Sequence, residues 1–285
     1  MGSSRAVITI CSIAHKEVWS RTSRLLPPHV TADSYHVFVP AEELGEFEKI
    51  TGPDIEIHTQ ESISEDYLEG LKHQVALEDN SARLGWYLQQ FHKIQALRIV
   101  EAEELIIWDA DCVPLKEIRL FSDVGTPVYM RASENHRPYF EMIERLLGLE
   151  RVQDSSFVIP GFPILKSWVN DFLNGVEARH HPLRWFEAVM ENTDFSLQSG
   201  FSETETLGTW IANSYSGSWE RSEVAWERKG QSRFGFAADF SLQDLISLGE
   251  REKLDIVTFE NWDLPRQNGR LVRYLQLIKK IASRR

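Results

Sequence analysis

Asp109 and Asp111 are the residues whose types and spacing most clearly allow chemistry. Asp109 closes the apolar run Leu105-Ile-Ile-Trp108 and is followed by Ala110-Asp111-Cys112-Val113-Pro114. Side chains alternate along a strand, so the two carboxylates leave its end on one side while Ala110 turns away. Two converging carboxylates repel each other unless a cation shares their charge. Hard oxygen donors of this kind suit Mg²⁺ or Mn²⁺, which commonly combine one or two carboxylates with substrate phosphates. A plain Asx turn after a strand is the competing explanation. No glycine-rich phosphate loop follows the first apolar run, so a bound nucleotide would need another way to hold its phosphates, and a metal on Asp109 and Asp111 provides one.

Three further groups of residues could serve that pair. Gln89, Gln90 and Lys93 share one flank of the helical stretch Gly85–Lys93 and suit a diphosphate or a ribose; the alternative is a polar flank facing water. In Phe201–Leu207, Ser202 and Glu205 stand in the spacing of a capping box. Glu203 instead shares a side with Leu207 and Trp210, facing inward. There it is either a general base or a buried acid paired with an arginine from the 131–151 segment. His15 follows the first strand, and His136 is a further polar candidate. Tyr139 and the tryptophan-rich 215–226 stretch offer stacking surfaces for sugar rings or, equally, core.

These groups need a scaffold that brings strand ends together. Ala6–Cys11, Tyr35–Val39, Ile55–His58 and Leu105–Trp108 read as strands. Between them lie a helix ending near Leu26 ahead of Pro27-Pro28, an acidic helix over Glu42–Ile50 and a strong helix over Leu84–Val100. Repeated β-α-β units predict an α/β fold with a parallel sheet, whose ligands bind beyond the carboxyl ends of the strands. Cys11–His15, with Ser12 and Ala14, should open on the same crevice as Asp109–Asp111. Strands over Pro127–Arg131 and Ser156–Ile159, and helices near Tyr139–Leu147, Ser167–Leu173, Leu183–Glu191 and Glu203–Asn213, make a mixed second half. Tyr215–Phe236 reads as loop or short β-structure. One composite domain over 1–285 is expected, with a nucleotide-binding half (1–115), an acceptor half (116–262) and a basic helix (263–285).

The 285 residues are 42% hydrophobic and 26% charged, ordinary for a globular chain, with a net charge of −12 that argues against a nucleic-acid partner. Residues 42–79 alone carry twelve acids against Lys49 and Lys72. From residue 264 onward the sign reverses, and Leu271, Tyr274, Leu275 and Ile278 recur at helical spacing among arginines and lysines. Such a helix suits peripheral contact with an anionic membrane surface, or docks on its own domain. Two cysteines without metal spacing, and no long apolar run, fit a cytoplasmic protein, peripheral to the inner face of the membrane if the basic helix binds there.

Taken in order, Gly-Trp-Tyr-Leu-Gln-Gln-Phe-His-Lys, Trp-Asp-Ala-Asp-Cys-Val-Pro-Leu and Phe-Ser-Glu-Thr-Glu-Thr-Leu-Gly resemble a bacterial DUF-class family of GT-A-type glycosyltransferases. That family is often associated with surface-polysaccharide synthesis, and the resemblance spans about residues 5–215. It implies a GT-A-like, Rossmann-type sheet with a mixed acceptor half, and transfer from a nucleotide-sugar, UDP-linked in the simplest case, to a glycan or lipid-linked glycan hydroxyl. It places a Mn²⁺ or Mg²⁺ on Asp109 and Asp111, and gives phosphate or ribose contacts to Gln90 and Lys93. Ser12, Ala14, His15, Trp108 and Asp109 would surround the nucleotide, His136 and Tyr139 would meet substrate, and Glu203 would be the base of an inverting enzyme. Many GT-A enzymes add a late metal-binding histidine; none follows His181 here, leaving Asp239, Glu260 or Asp263 as substitutes. Two rivals remain. One is a sugar-nucleotide-binding subunit without turnover. The other is a D-x-D phosphatase or phosphotransferase, against which the lack of any Asp-Asp dipeptide counts.

Overall fold

The computed structural model describes residues 3–64 and 67–263. The basic segment from residue 264 onward, and with it the membrane contact expected there, lies outside the described residues. Among the described residues no helix is long and apolar enough to cross a membrane.

The strands run β1 (Arg5–Ile10), β2 (Ser34–Val39), β3 (Glu56–Thr59), β4 (Glu104–Trp108), β5 (Cys112–Pro114), β6 (Val128–Met130), β7 (Gly161–Leu165), β8 (Glu220–Ser222), β9 (Trp226–Glu227) and β10 (Ile256–Thr258). The central sheet has the order β3-β2-β1-β4-β7. Its first four strands are parallel, and β7 runs antiparallel to β4 along one edge. The fold is therefore mixed α/β around a mostly parallel sheet. Residues 6–11 and 104–108 are buried on both faces, which is why they read as unbroken apolar runs.

The helices are α1 (Lys16–His29), α2 (Leu44–Ile50), α3 (Tyr67–Leu77), α4 (Leu84–Ile99), α5 (Arg137–Leu147), α6 (Lys166–Arg179), α7 (Trp185–Asn192), α8 (Glu203–Ser214), α9 (Gly230–Phe234) and α10 (Leu242–Glu252). The largest buried cluster joins sheet residues such as Val7 and Ile106 to Leu146, Trp185 and Leu207 from the second half. A smaller cluster packs Val18 and Leu25 against Val113, Leu245 and Val257.

Three expectations change. α1 does not stop at Leu26 but continues through Pro27 and Pro28, because His29 Nδ1 donates to the Leu25 carbonyl at 2.7 Å and the Val30 N–H donates to Leu26 at 2.9 Å. Residues 156–159 are not a strand and keep only a bridge from Ser156 to Ala132. The strand follows Pro160 and includes Pro163, which a sheet edge tolerates. Finally, α3, α10 and β10 have no counterpart in the sequence reading.

Candidate active site

At the carboxyl end of β4 the chain turns sharply. The Asp109 N–H donates to Pro160 at 3.0 Å, and the Cys112 N–H donates back to Asp109 at 3.1 Å. The Trp108 indole N–H closes the turn on the Cys112 carbonyl at 2.8 Å. The Phe259 N–H, just after β10, holds the Asp111 carbonyl at 2.9 Å. Ala110 is buried, while Asp109 and Asp111 remain partly exposed on the side facing an open cavity of about 730 Å³.

That cavity lies beyond the carboxyl ends of the parallel strands, where open α/β sheets take their ligands. Ser12 and His15 reach it from the end of β1, Gln90 and Lys93 from α4, Tyr139 from α5 and Glu203 from α8. Ala14, Trp108 and His136 do not line it. Trp108 is fully buried, and a Cβ on Gly161 would strike its ring at 2.7 Å, so its place is structural. His136 hydrogen-bonds the Ser199 carbonyl at 2.9 Å and meets the Tyr139 ring edge-on at 4.5 Å, supporting Tyr139 from behind. The Ala14 carbonyl faces the Asn261 amide, which also donates to His15 Nε2 at 3.2 Å.

The polar flank of α4 does not face water. Residues 90–97 are all buried, and Gln90 and Lys93 are each only 5% exposed. Lys93 Nζ sits 2.7 Å from Asp109 Oδ1 and 2.7 Å from Glu203 Oε1, clamping the strand-end acid to the first residue of α8. Burial disfavours the ammonium, but the two carboxylates outweigh it and hold the Lys93 pKa above its usual value. Burial likewise pushes the Glu203 carboxyl upward, against the opposing pull of Lys93. Glu203 is thus a buried acid whose cation is Lys93, not an arginine. Arg151 approaches Glu205, whose carboxylate accepts from the Ser156 hydroxyl at 2.6 Å and the Phe157 N–H at 2.9 Å. Ser202 caps α8 through the Glu205 N–H at 3.3 Å, so half of the expected capping box forms.

Asp111 has a different environment. Its carboxylate takes a weak thiol hydrogen bond from Cys112 at 3.6 Å, and desolvation together with the neighbouring Asp109 charge raises its pKa. Glu260 also lines the cavity, its pKa pushed up to about 7 by burial and by the Asp111 charge. Of the three late acids considered as extra metal ligands, Glu260 alone faces the cavity among the described residues; Asp263 is buried and accepts the Ser232 N–H at 3.0 Å. The neighbouring negative charges that help raise the Asp111 and Glu260 carboxyls are what a divalent cation would relieve, and the donors are hard oxygens, so the residues fit Mg²⁺ or Mn²⁺. Asp111 and the Asp109 oxygen not held by Lys93 would hold such an ion.

No motif or spacing pointed to Arg228, which bridges Glu134 and Glu260, the latter at 3.0 Å. Nor did any motif mark Trp262, which lines the cavity and is 59% exposed. Arg228 follows the two-residue strand β9 and Trp262 lies beyond β10, both outside the strands and helices, where no periodicity assigns a direction to a side chain.

The site and scaffold together define an α/β protein with an acid-lined cleft at the carboxyl edge of a mostly parallel sheet. The chain belongs to DUF6492, a family of unknown function, whose model matches residues 13–209 and so includes Lys93, both aspartates and Glu203. No curated protein matches it. Among solved structures, apo mouse xyloside xylosyltransferase 1 is similar with a TM-score of 0.46 and 10% identity, over 92% of this chain and 99% of that one. The apo glycosyltransferase GlyE of Streptococcus pneumoniae TIGR4 is similar with a TM-score of 0.45 and 15% identity, over 93% of this chain. The match covers 57% of GlyE, so this chain spans little more than half of that protein.

Proposed function

We propose that this chain is a metal-dependent glycosyltransferase of the hexosyltransferase kind, moving a sugar from a nucleotide-sugar to a hydroxyl of a glycan or lipid-linked glycan. Surface-polysaccharide synthesis is the setting that the family resemblance suggests. The observation that carries the reading is the clamp at the cavity floor. Lys93 fixes Asp109, on the donor side, to Glu203, on the acceptor side, with Asp111 beside them.

In this reading Ser12 and His15 border the nucleotide at the end of β1, and Asp111 with Asp109 would hold the cation at the diphosphate end. A bound Mn²⁺ or Mg²⁺ supplies charge neutralisation for the departing diphosphate. Lys93 keeps Asp109 oriented and stays protonated while doing so. Glu203 takes the proton from the acceptor hydroxyl, and its raised pKa suits it to that work. Tyr139, backed by His136, presents a ring to the sugar.

Calorimetry with UDP, GDP and CMP in the presence and absence of Mn²⁺ tests the donor site. At least one nucleotide should bind only with the metal, and Asp111→Ala should lose that binding more than tenfold. Equal binding without metal, or by the variant, overturns the reading. One observation favours a second reading, a sugar-nucleotide-binding subunit without turnover: the Glu203 carboxylate is already engaged by Lys93. Metal-dependent binding with no donor consumed, across a panel of glycan acceptors, would select it.

A further inference from the structure

A second cluster of potential ligands lies away from the cleft, on the outer strands of the sheet. β2 and β3 pair with His36 opposite Glu56 and Phe38 opposite His58. Side chains two apart share a face, so His36, Glu56 and His58 project together. His36 Nδ1 lies 3.0 Å from His58 Nε2 and 3.6 Å from Glu56 Oε2, and His58 Nε2 lies 3.8 Å from the same oxygen. Among the described residues this is the only trio of histidine, cysteine or acidic side chains whose ligand atoms all fall within 4.8 Å of one another. None of the three lines the cleft.

The spacing matches a coordination shell. A tetrahedral zinc ion with nitrogen and oxygen ligands at 2.0–2.2 Å sets them about 3.3–3.5 Å apart. The observed edges of 3.0, 3.6 and 3.8 Å lie within a few tenths of an ångström of that triangle. The outer environment also fits. His36 Nε2 is 2.9 Å from the Ser34 hydroxyl, and a ring N–H donated there leaves the Nδ1 lone pair aimed at the trio's centre. Without a metal, one proton must sit between the two imidazoles; a cation can take its place.

We propose that His36, His58 and Glu56 form a zinc site, with the fourth position open to water. Two neutral imidazoles and one carboxylate leave the site at −1, which attracts a dication, and nitrogen donors select zinc over the Mg²⁺ or Mn²⁺ that the oxygen-only cleft prefers. Side-chain exposures of 13%, 36% and 67% for His36, His58 and Glu56 let the ion enter from solvent. The site pins the edge strand β3 to β2. Gln60, directly after β3, donates its amide to the Cys11 and Phe38 carbonyls at 3.0 and 3.2 Å, and Gln60 and Cys11 both line the cleft. Zinc on this outer pair would therefore brace one wall of the nucleotide cleft without touching a ligand there.

Titration of the chelator-treated full chain with Zn²⁺, followed by calorimetry, and with Co²⁺, followed by visible absorption, tests the proposal. One equivalent should bind at this site, and Co²⁺ should show the intense bands of four-coordination. His58→Ala and His58→Gln, two variants at a half-exposed ring, should each weaken Zn²⁺ binding more than tenfold and abolish the Co²⁺ bands. Glu56→Gln should weaken binding less, and Asp111→Asn should leave this event in place, separating it from any ion in the cleft. Failure of the wild-type chain to bind one equivalent, or binding by both His58 variants with wild-type affinity, overturns the proposal and leaves a cross-strand hydrogen-bonded cluster.

Discussion

Lys93 faces two buried or half-buried carboxylates with one positive charge. Removing the ammonium would leave both acids uncompensated, a loss on the order of 3–5 kcal/mol for a buried pair. Changing Glu203 is gentler, because a glutamine keeps the shape and its amide oxygen still accepts from Lys93. Glu203→Gln should therefore retain the fold, and under the proposed function it should also retain the nucleotide binding proposed to require a metal. It should lower sugar transfer by about 10²–10⁴-fold, the usual contribution of a general base. The pH profile provides the independent check. Burial raises the Glu203 pKa, so its basic form is lost as pH falls through a value above the ordinary carboxylate range. Wild-type kcat/KM should fall on that acid limb, and the glutamine variant should lack it. A variant with undiminished transfer would show that the proton goes elsewhere.

At the scale of elements, legibility followed burial and locality. β1, β2, β4 and α4 were readable because continuous apolar runs and strong helical periodicity are local signals, and the D-x-D pair was readable because it terminates one of them. Lys93 could be placed on a flank, but its partners Asp109 and Glu203 are 16 and 110 residues away, a distance that spacing does not encode. β7 was hidden by Pro160 and Pro163, which look like strand breakers until the sheet edge makes one of them harmless. The seat of α8 was equally invisible. A Cβ on Gly208 would fall 2.0 Å from Phe157 Cγ, so α8 approaches the chain beneath it as closely as it does because that residue has no side chain. Alanine would gain about 1 kcal/mol of helix propensity there. Overpacking in a filled core costs about 1–3 kcal/mol and exceeds that at so short a contact. Gly208→Ala should thus destabilise the protein in urea unfolding, whereas Gly175→Ala in α6, where a Cβ meets nothing within 4 Å, should stabilise it. The opposite order would mean that α8 has room to move.

The whole molecule's response to acid is set by buried groups whose effects run in opposite directions. His92 on α4 is 3% exposed, shares a hydrogen bond with the Tyr67 hydroxyl of α3 at 2.7 Å, and has its pKa pushed down to about 4 by burial. In the unfolded chain the same ring titrates near 6.5, so between these values the unfolded state binds a proton that the folded state refuses. Stability from His92 is complete above pH 6.5 and is lost as pH falls toward 4; at about 1.4 kcal/mol per pH unit the loss amounts to about 3 kcal/mol. Glu260 works the other way. Its carboxyl is raised to about 7, so the folded state binds a proton first and stability rises as pH falls below that value. Repulsion within a chain of net charge −12 is also relieved in that direction. The His92 and Glu260 terms therefore oppose each other between pH 7 and 4.5, and the raised carboxyls of Asp111 and Glu203 act in the same sense as Glu260. His92→Gln, whose amide can donate to or accept from Tyr67 but cannot titrate, removes the His92 term alone. Urea unfolding of both chains at pH 7, 5.5 and 4 should show the variant gaining on the wild type by about 3 kcal/mol across the series. A constant difference at all three values would mean that the His92 ring can be protonated inside the fold as easily as in water.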